Sequence, residues 1–286
     1  MTSLHTPRDL DWELIVVNNN CTDDTDKVIE QFNGRLPIRR VLETKQGHSN
    51  ARNAAVAAAN GRYLIWTDDD TRVDPHWISA YANAFERWPK CAFFGGPVVP
   101  LFAVDLPKWL ENLWPRVASA YALHNLGSQP IRLDGGSNIP VGANFVVRRS
   151  EQLKFLYDSR FGRFKTDMIG HDENVVIDAL LKAGHEGMWI PNAVVQHFIP
   201  GEKMTIRYVR RYYYGLGQTE SQLAQPVGGP RFLGKPRWMW RYAVTSELRY
   251  QFSKISGPRD EWVKRLITAS QAWGSLRGGR KAQNRK

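Results

Sequence analysis

The sequence predicts an α/β protein with a parallel sheet. Short apolar, β-branched runs alternate with segments of helical spacing, as in strand–helix–strand units. The chain has 286 residues, of which 42% are apolar and 23% charged, so it can bury a core. This ordinary globular composition excludes a disordered protein, a collagen-like fibre and a coiled coil. The length suits one large domain or two small ones.

The first elements are marked by changes from apolar to polar residues. The apolar run 12–17 predicts a strand that stops at the polar cluster 18–24. Thr22 or Asp23 can cap a helix at 25–32, whose apolar residues have helical spacing.

A third strand runs directly into an acidic cluster. A second strand at 38–42 and an alanine-rich helix at 50–60 precede it. The apolar strand at 62–67 then meets three consecutive aspartates at 68–70, and a helix beginning with proline follows at 75–87. The order of strands and helices up to this point is the basis of the α/β prediction.

The second half of the chain has a less regular pattern. Strands are expected at 93–99, 138–148 and 187–195, and each contains a glycine or proline that can interrupt it. Helices are expected at 107–123, which is rich in aromatic residues, and at 174–183.

The aspartates at 68–70 are the first candidate site. In an extended chain Asp68 and Asp70 point the same way, and two carboxylates on one face repel unless a cation lies between them. Mg²⁺ and Mn²⁺ prefer oxygen ligands, and ligands of open α/β sheets bind beyond the carboxyl ends of the strands. The cluster therefore predicts a site for a divalent metal and a diphosphate; a solvated acidic turn is the alternative.

Positive charge is concentrated at the C-terminus. The net charge is +11, and residues 231–286 alone hold 14 Lys and Arg against 3 Asp and Glu, so residues 1–230 are neutral. Two cysteines, Cys21 and Cys91, form neither a disulfide framework nor a zinc cluster. No run reaches the ~18 apolar residues of a membrane-spanning helix, and no signal-peptide core follows Met1, so the expected compartment is the cytoplasm.

The motifs gain specificity from their order. In the first half they are Trp12-Glu13-Leu14-Ile15-Val16-Val17-Asn18-Asn19, Thr22-Asp23, Ala51-Arg52-Asn53, Gly61 and Asp68-Asp69-Asp70. In the second half they are Gly142-Ala143-Asn144, His171-Asp172-Glu173, Leu180-Leu181-Lys182-Ala183-Gly184-His185 and Pro191-Asn192-Ala193-Val194-Val195-Gln196-His197. This series, over roughly residues 11 to 217, resembles the family 2 glycosyltransferases of the GT-A fold. The resemblance implies a Rossmann-like sheet with helices on both faces.

The resemblance implies roles for the residues that match the family's motifs. Asp68 and Asp70 would be the paired carboxylates near the ribose and on an Mg²⁺ or Mn²⁺ ion, with Asp69 beside them at the donor and His197 as a third metal ligand. A structural or surface role is the alternative for His197. The residues expected to contact the substrates are Asn18, Asn19, Arg52, Gly142 and Asn144. The family commonly has an aspartate where Asn18 and Asn19 stand, which puts the identity of the nucleotide in doubt.

The general base is expected within the acidic pair at 172–173. Glu173 would deprotonate the acceptor hydroxyl, with Asp172 beside it; the family usually has aspartate at this position, so Asp172 is the alternative base. A carboxylate in a cleft gains basicity from burial and from a neighbouring like charge. Both residues could instead be acids that stabilise a helix N-terminus.

Arginines after residue 200 are candidate phosphate ligands. Arg207, Arg210 and Arg211 are interleaved with tyrosines, and the planar guanidinium group binds phosphate oxygens in pairs. Arg210 and Arg211 are therefore expected at the diphosphate. The alternative is an amphipathic helix with packed tyrosines and solvated arginines.

The beginning and end of the chain carry separate expectations. The family opens with a strand and a helix that would precede the strand at 12–17, so residues 1–222 are expected to form an N-terminally truncated catalytic domain. Residues 223–286 are expected to form a basic, Trp-rich helical extension with a disordered end from Gly278. This extension is expected to pack on the domain and to bind an anionic membrane surface, at the inner face of the plasma membrane; packing alone is the alternative, and no nucleic-acid module is visible.

The sequence thus predicts a metal-dependent, inverting glycosyltransferase. Its donor would be a nucleoside-diphosphate-sugar, and its acceptor would be a hydroxyl of a glycan or of a lipid-linked glycan. A nucleotidyltransferase that holds related sugar nucleotides is one alternative. A catalytically impaired fragment with a basic surface-binding tail is the other.

Overall fold

A computed structural model describes residues 1–158, 172–223 and 228–278, which form two compact units. Among the described residues, the first unit comprises 1–101, 122–158 and 172–198, and the second comprises 102–121, 199–223 and 228–278. The predicted catalytic domain 1–222 and extension 223–286 do not coincide with these two units, and that division stays a prediction.

The described strands and helices follow the predicted order closely. The strands are β1 Leu14–Asn18, β2 Ile38–Leu42, β3 Tyr63–Trp66, β4 Thr71–Val73, β5 Phe93–Gly95, β6 Val98–Phe102, β7 Arg132–Leu133, β8 Phe145–Arg148, β9 Gly187–Trp189, β10 Val195–Ile199, β11 Arg231–Phe232 and β12 Lys235–Pro236. The helices are α1 Thr25–Glu30, α2 His48–Ala58, α3 Trp77–Arg87, α4 Lys108–Val117, α5 Arg149–Gln152, α6 Asp172–Lys182, α7 Ile206–Leu223, α8 Arg237–Ser256 and α9 Arg259–Arg277.

The sheets of the first unit are mixed, so the expectation of an entirely parallel sheet was wrong. The largest sheet has the order β3-β8-β5-β9-β7. Strand β5 runs parallel to β9, but β8 lies antiparallel between β3 and β5. The remaining strands form the sheet β4-β10-β6 and the parallel pair β1-β2.

Two of the predicted strands are each observed as two separate strands with a short irregular segment between them. The run 93–99 becomes β5 and β6, and a Cβ on Gly96 would lie 2.3 Å from the carbonyl oxygen of Ala193, so only glycine fits there. The run 187–195 ends as β9 at Trp189, and β10 starts at Val195 after the segment that contains Pro191.

Buried aromatic and aliphatic side chains fill the first unit between its sheets and helices. Phe93, Phe145 and Trp189 of the large sheet are fully buried and pack with Ile177 and Leu180 of α6. Helix α3 packs on another part of this core through Trp77 and Tyr81. This packing fixes the ends of β3, β8 and α6, where the predicted site residues lie.

The second unit is helical, with a separate core. Leu110 and Leu113 of α4 pack with Val209 and Tyr213 of α7 and with Ile267 of α9. Helices α7 and α9 come close enough for backbone contact, since a Cβ on Gly274 would lie 2.0 Å from the carbonyl oxygen of Tyr214.

Helices α8 and α9 form the described part of the basic C-terminal extension. Its predicted helical character is confirmed, and the short hairpin β11–β12 precedes α8. The expected disorder beyond Gly278 concerns residues 279–286, which lie outside the described residues. None of the described helices combines the length and the apolar character needed to cross a bilayer.

Candidate active site

Two aspartates and a histidine converge next to the loop between β3 and β4. One possible ligand atom from each of Asp68, Asp70 and His197 lies within 4.8 Å of the other two. Asp70 Oδ1 lies 3.3 Å from His197 Nε2, and 13% of the His197 side chain is exposed against 45% for Asp70. The group is therefore half open, with a shielded imidazole and accessible carboxylates.

Strand pairing brings His197 to the aspartates. Strand β10 pairs antiparallel with β4, which places His197 opposite Thr71. The Phe198 N–H donates to the Asp70 carbonyl oxygen at 2.9 Å. The Thr71 hydroxyl donates to the Asp68 carbonyl oxygen at 2.7 Å and so holds the turn. The three side chains thus meet because their backbones are hydrogen-bonded across a sheet.

The contacts of His197 direct one ring nitrogen toward Asp70. His197 Nδ1 lies 3.2 Å from the Phe198 carbonyl oxygen, and a carbonyl only accepts hydrogen bonds. With the proton on Nδ1, the lone pair of Nε2 faces the Asp70 carboxylate, which is unfavourable unless a metal ion or a second proton lies between them. Two carboxylates and an imidazole held in this way fit an Mn²⁺ or Mg²⁺ ion, with Mn²⁺ the better match for nitrogen.

A second charged group lies beside β8 and α6. Arg52 Nη1 is 3.5 Å from Glu173 Oε2, and both side chains are largely buried, with 6% and 13% exposed. The Gly142 N–H donates to Glu173 Oε1 at 3.2 Å. A Cβ on Gly142 would lie 2.8 Å from Arg52 Nη2 and 3.3 Å from the Glu173 carboxylate, so a larger residue would displace these two side chains.

An aromatic enclosure around Arg52 was not predicted from the sequence. The guanidinium carbon lies 5.1 Å from the ring centre of Tyr157, 5.7 Å from that of Phe145 and 5.8 Å from that of Trp66. Such contacts stabilise a cation, more so when it is desolvated. The one signal for it in the sequence is Trp66, an aromatic residue two positions before the acidic cluster.

Arg52 contacts one predicted acidic group and lies close in space to the residue that leads into the other. It pairs with Glu173 and lies against Trp66, and only Thr67 separates Trp66 from Asp68. The Asp68–Asp70–His197 group and Glu173 therefore lie near the same end of β3, within the first unit. Asp172 begins α6, but its side chain and His171 lie outside the described residues.

The structure corrects the predicted role of Asn144. This side chain is fully buried, and its amide donates to the carbonyl oxygens of Pro97 and Ala193 at 2.9 and 2.7 Å. Its oxygen accepts from Trp77 Nε1 and from the Tyr81 hydroxyl at 2.9 and 2.8 Å. Burial raises the pKa of Tyr81, which therefore remains a neutral donor. Asn144 has no capacity left for a substrate, so its role is structural.

The two predicted nucleotide-binding asparagines hold loops together. Asn18, which is 3% exposed, donates to Asp26 and accepts the Cys21 N–H. Asn19 donates to the carbonyl oxygens of Glu43 and Lys45 and accepts the Gly47 N–H. Direct contact of Asn18 with a nucleotide is contradicted by its burial. Asn19 is half-buried, and its contact with the nucleotide stays a prediction.

Asp69, Arg210 and Arg211 are the accessible members of the predicted substrate-binding set, whereas Arg52 is buried. Asp69 is exposed between Asp68 and Asp70. Arg210 and Arg211 lie in the second unit, where they line a cavity of about 650 Å³ together with Arg207, Arg277, Glu247 and Trp273. No hydrogen bond or ion pair engages Arg207, Arg210 or Arg211 among the described residues. The arginines therefore form a basic cavity suited to phosphate oxygens.

Comparisons with known proteins give the class of the protein. Its fold resembles that of the mannosyltransferase PcManGT from Pyrobaculum calidifontis, solved in complex with GDP-Man and Mn²⁺, with a TM-score of 0.56 and 17% identity over 96% of this chain and 80% of that one. A family model described as glycosyl transferase family 2 matches residues 2–170. The chain therefore belongs to the family 2 glycosyltransferases, and the predicted family, GT-A fold and enzyme class are confirmed.

Two curated relatives match parts of the chain. A dodecaprenyl-phosphate galacturonate synthase of Rhizobium johnstonii is 30% identical over 127 residues, which cover 41% of this chain and 36% of that protein. A teichoic acid poly(glycerol phosphate) polymerase of Staphylococcus epidermidis is 25% identical over 170 residues, covering 56% and 23%. The matched stretches thus span about a quarter to a third of these relatives.

Proposed function

We propose that this glycosyltransferase transfers a sugar from a nucleoside-diphosphate-sugar to an acceptor hydroxyl with inversion, and that it requires Mn²⁺ or Mg²⁺. The convergence of Asp68, Asp70 and His197 is the observation that carries the proposal. The name of the Pyrobaculum structure, which includes GDP-Man and Mn²⁺, supports both the donor class and the metal. When bound, the metal would offset the charge that develops on the diphosphate leaving group.

The chain's own residues would position the donor and activate the acceptor. Asp68 and Asp70 would hold the metal, with His197 fixed by its contact with the Phe198 carbonyl oxygen. Glu173 is a base candidate with a fixed orientation, because Arg52 and the Gly142 N–H each contact one of its oxygens. Asp172, its neighbour at the start of α6, is the competing base.

The acceptor is proposed to be a hydroxyl of a glycan or of a lipid-linked glycan. Both relatives are named for phosphate-bearing molecules, a dodecaprenyl phosphate and a poly(glycerol phosphate). The basic cavity that contains Arg210 and Arg211 supports recognition of such a phosphate.

The metal can be tested by substitution at Asp70. The Asp70→Ala variant should lose Mn²⁺-dependent thermal stabilisation by a nucleotide sugar and at least ~100-fold of the rate of donor hydrolysis, since the leaving group loses its counter-charge. The exposed Asp105 of the second unit provides a matched control, and Asp105→Asn should leave both measurements unchanged. Unchanged turnover in Asp70→Ala would remove the metal from the proposal.

The two base candidates can be separated in the same assay. Glu173→Gln and Asp172→Asn are compared for transfer to an acceptor and for thermal stabilisation by donor. The base variant should lose transfer while it retains donor binding, because only the step that deprotonates the acceptor depends on that carboxylate. Equal transfer by both variants and the unsubstituted protein would exclude a base in this pair.

A further inference from the structure

Helix α8 exposes a row of large apolar side chains along one arc. The exposed fraction reaches 70% for Phe252 and 82% for Ile255, which is high for large apolar side chains. Six exposed apolar residues form this row, and we call them the α8 face: Trp238, Tyr242, Val244, Leu248, Phe252 and Ile255. An apolar patch of this extent marks an interaction surface.

The helix is otherwise well packed, so this exposure is not due to a frayed segment. Ala243, Ser246 and Tyr250 are buried, and Tyr250 lies 6.2 Å from Trp262 of α9. With 3.6 residues per turn, the α8 face occupies an arc of about 160° opposite these buried residues. The apolar side chains therefore point away from the core of the second unit.

Positive charge accompanies the α8 face. Arg237, Arg241 and Arg249 are exposed, and helical spacing places them on the same arc. The single acidic residue of α8, Glu247, lies outside this arc, accepts a hydrogen bond from Gln251 and lines the arginine cavity. The arc thus combines aromatic and aliphatic side chains with arginines and has no carboxylate.

The β11–β12 hairpin before α8 also exposes apolar side chains next to an arginine. Phe232 and Leu233 are 53% and 58% exposed at its turn, and Arg231 beside them is exposed as well. The Phe232 carbonyl oxygen accepts a hydrogen bond from Trp240 Nε1, which ties the hairpin to α8. The exposed apolar surface therefore extends beyond the first turn of the helix.

We propose that the α8 face binds the surface of an anionic lipid bilayer, with its apolar side chains at the acyl boundary and its arginines among the phosphates. A second copy of the chain is a poor partner for this face. Two such faces would bring their arginines together, and neither arc has a carboxylate to offset the repulsion between them. Aromatic residues flanked by arginines match the interface of an anionic membrane. This inference goes beyond the proposed transfer reaction and does not depend on it.

Vesicle co-sedimentation of the full chain tests this inference. The protein should bind to vesicles that contain phosphatidylcholine and phosphatidylglycerol. It should bind much less to vesicles of pure phosphatidylcholine. The double variant Phe252→Gln with Ile255→Gln should bind about tenfold more weakly, because two large apolar side chains no longer leave water. Each of Arg237→Gln, Arg241→Gln and Arg249→Gln should weaken binding to the anionic vesicles about fivefold.

A control variant distinguishes binding by the α8 face from nonspecific binding by exposed apolar residues. Val28 and Leu42 of the first unit are 50% and 53% exposed, so Val28→Gln with Leu42→Gln is a matched double variant that should bind vesicles normally. Donor hydrolysis without vesicles should be the same in the α8 variants, which separates this result from the proposed reaction. Equal vesicle binding by the α8 variant and the unsubstituted chain overturns the inference. A solution dimer that the α8 substitutions dissociate also overturns it, because the face would then belong to a second copy.

Discussion

At the scale of single residues, the candidate site depends on groups that are held by backbone contacts. His197 is oriented by the Phe198 carbonyl oxygen, and Glu173 by the Gly142 N–H. Such contacts fix rotamers before any ligand arrives and so reduce the cost of binding. The side chains that would act on substrate are therefore preorganised within the first unit.

Asn144 shows that a residue in a family motif can be structural. Replacing it with alanine would leave the Trp77 indole N–H, the Tyr81 hydroxyl and two carbonyl oxygens without their partner. Asn144→Ala should therefore reduce the free energy of unfolding by more than about 3 kcal/mol. Denaturant unfolding measures this change, with Asn83→Ala on the exposed side of α3 as the control. A variant of normal stability with weaker donor binding would restore the substrate-binding role.

At the scale of elements, the carboxylate of Glu13, just before β1, contacts both β2 and the segment after α2. Glu13 Oε1 accepts the N–H groups of Asn60 and Gly61, and Oε2 pairs with Arg39 at 2.7 Å. Burial raises the pKa of Glu13, but the bonds from Arg39 and from these two N–H groups outweigh it, so the pKa is lowered overall. Glu13 thus stabilises the fold in its charged form.

The sign of this shift gives a pH dependence. Glu13→Gln should reduce the free energy of unfolding by about 1 kcal/mol at neutral pH. The difference should be present above the ordinary glutamate pKa of about 4.3 and disappear as the pH falls through the lowered pKa, because the charged form then vanishes in the folded protein. Thermal unfolding across this range measures it, with the exposed Glu86→Gln as control. A difference that is independent of pH would contradict the assignment.

Helices α7 and α9 depend on glycine for their close approach. A Cβ on Gly217 would lie 2.1 Å from the carbonyl oxygen of Gln271, and the Gly274 position is equally close to Tyr214. The atoms in contact are backbone, which cannot move aside cheaply. The two glycines therefore determine how tightly the basic C-terminal extension joins α7.

At the scale of the whole molecule, each unit has its own hydrophobic core. Ile177 is fully buried in the first unit, and Ile267 is 2% exposed in the second. Ile177→Ala and Ile267→Ala should each cost about 2–5 kcal/mol of stability. Hydrogen exchange should show lost protection first in the unit that carries the substitution. Equal loss in both units from either variant would mean that they unfold together.

Charge is also distributed unevenly over the whole molecule. The excess of +11 resides in residues 231–286, and α8 and α9 together carry +5 of it. Charge of this kind affects association with anionic partners rather than the fold. Together with the exposed α8 face, it supports the membrane surface as the partner of this part of the chain.

Local sequence patterns predicted the early strands, the family and the candidate metal ligands of this protein. The apolar runs and their polar stops predicted strands at 12–17, 38–42 and 62–67, which are observed at 14–18, 38–42 and 63–66, and the order of motifs predicted the family. The family pattern also indicated Asp68, Asp70 and His197 as metal ligands, a proposal supported by their convergence. Periodicity and turn residues are local properties, so they can be read without the fold.

Only the tertiary structure decided which side chains meet and which are already occupied. The aromatic enclosure of Arg52 and the four hydrogen bonds of Asn144 join residues far apart in the chain. The antiparallel insertion of β8 likewise depends on pairing between distant strands. Hydrogen-bond satisfaction and burial are set by neighbours in space, and sequence spacing carries no direct record of them.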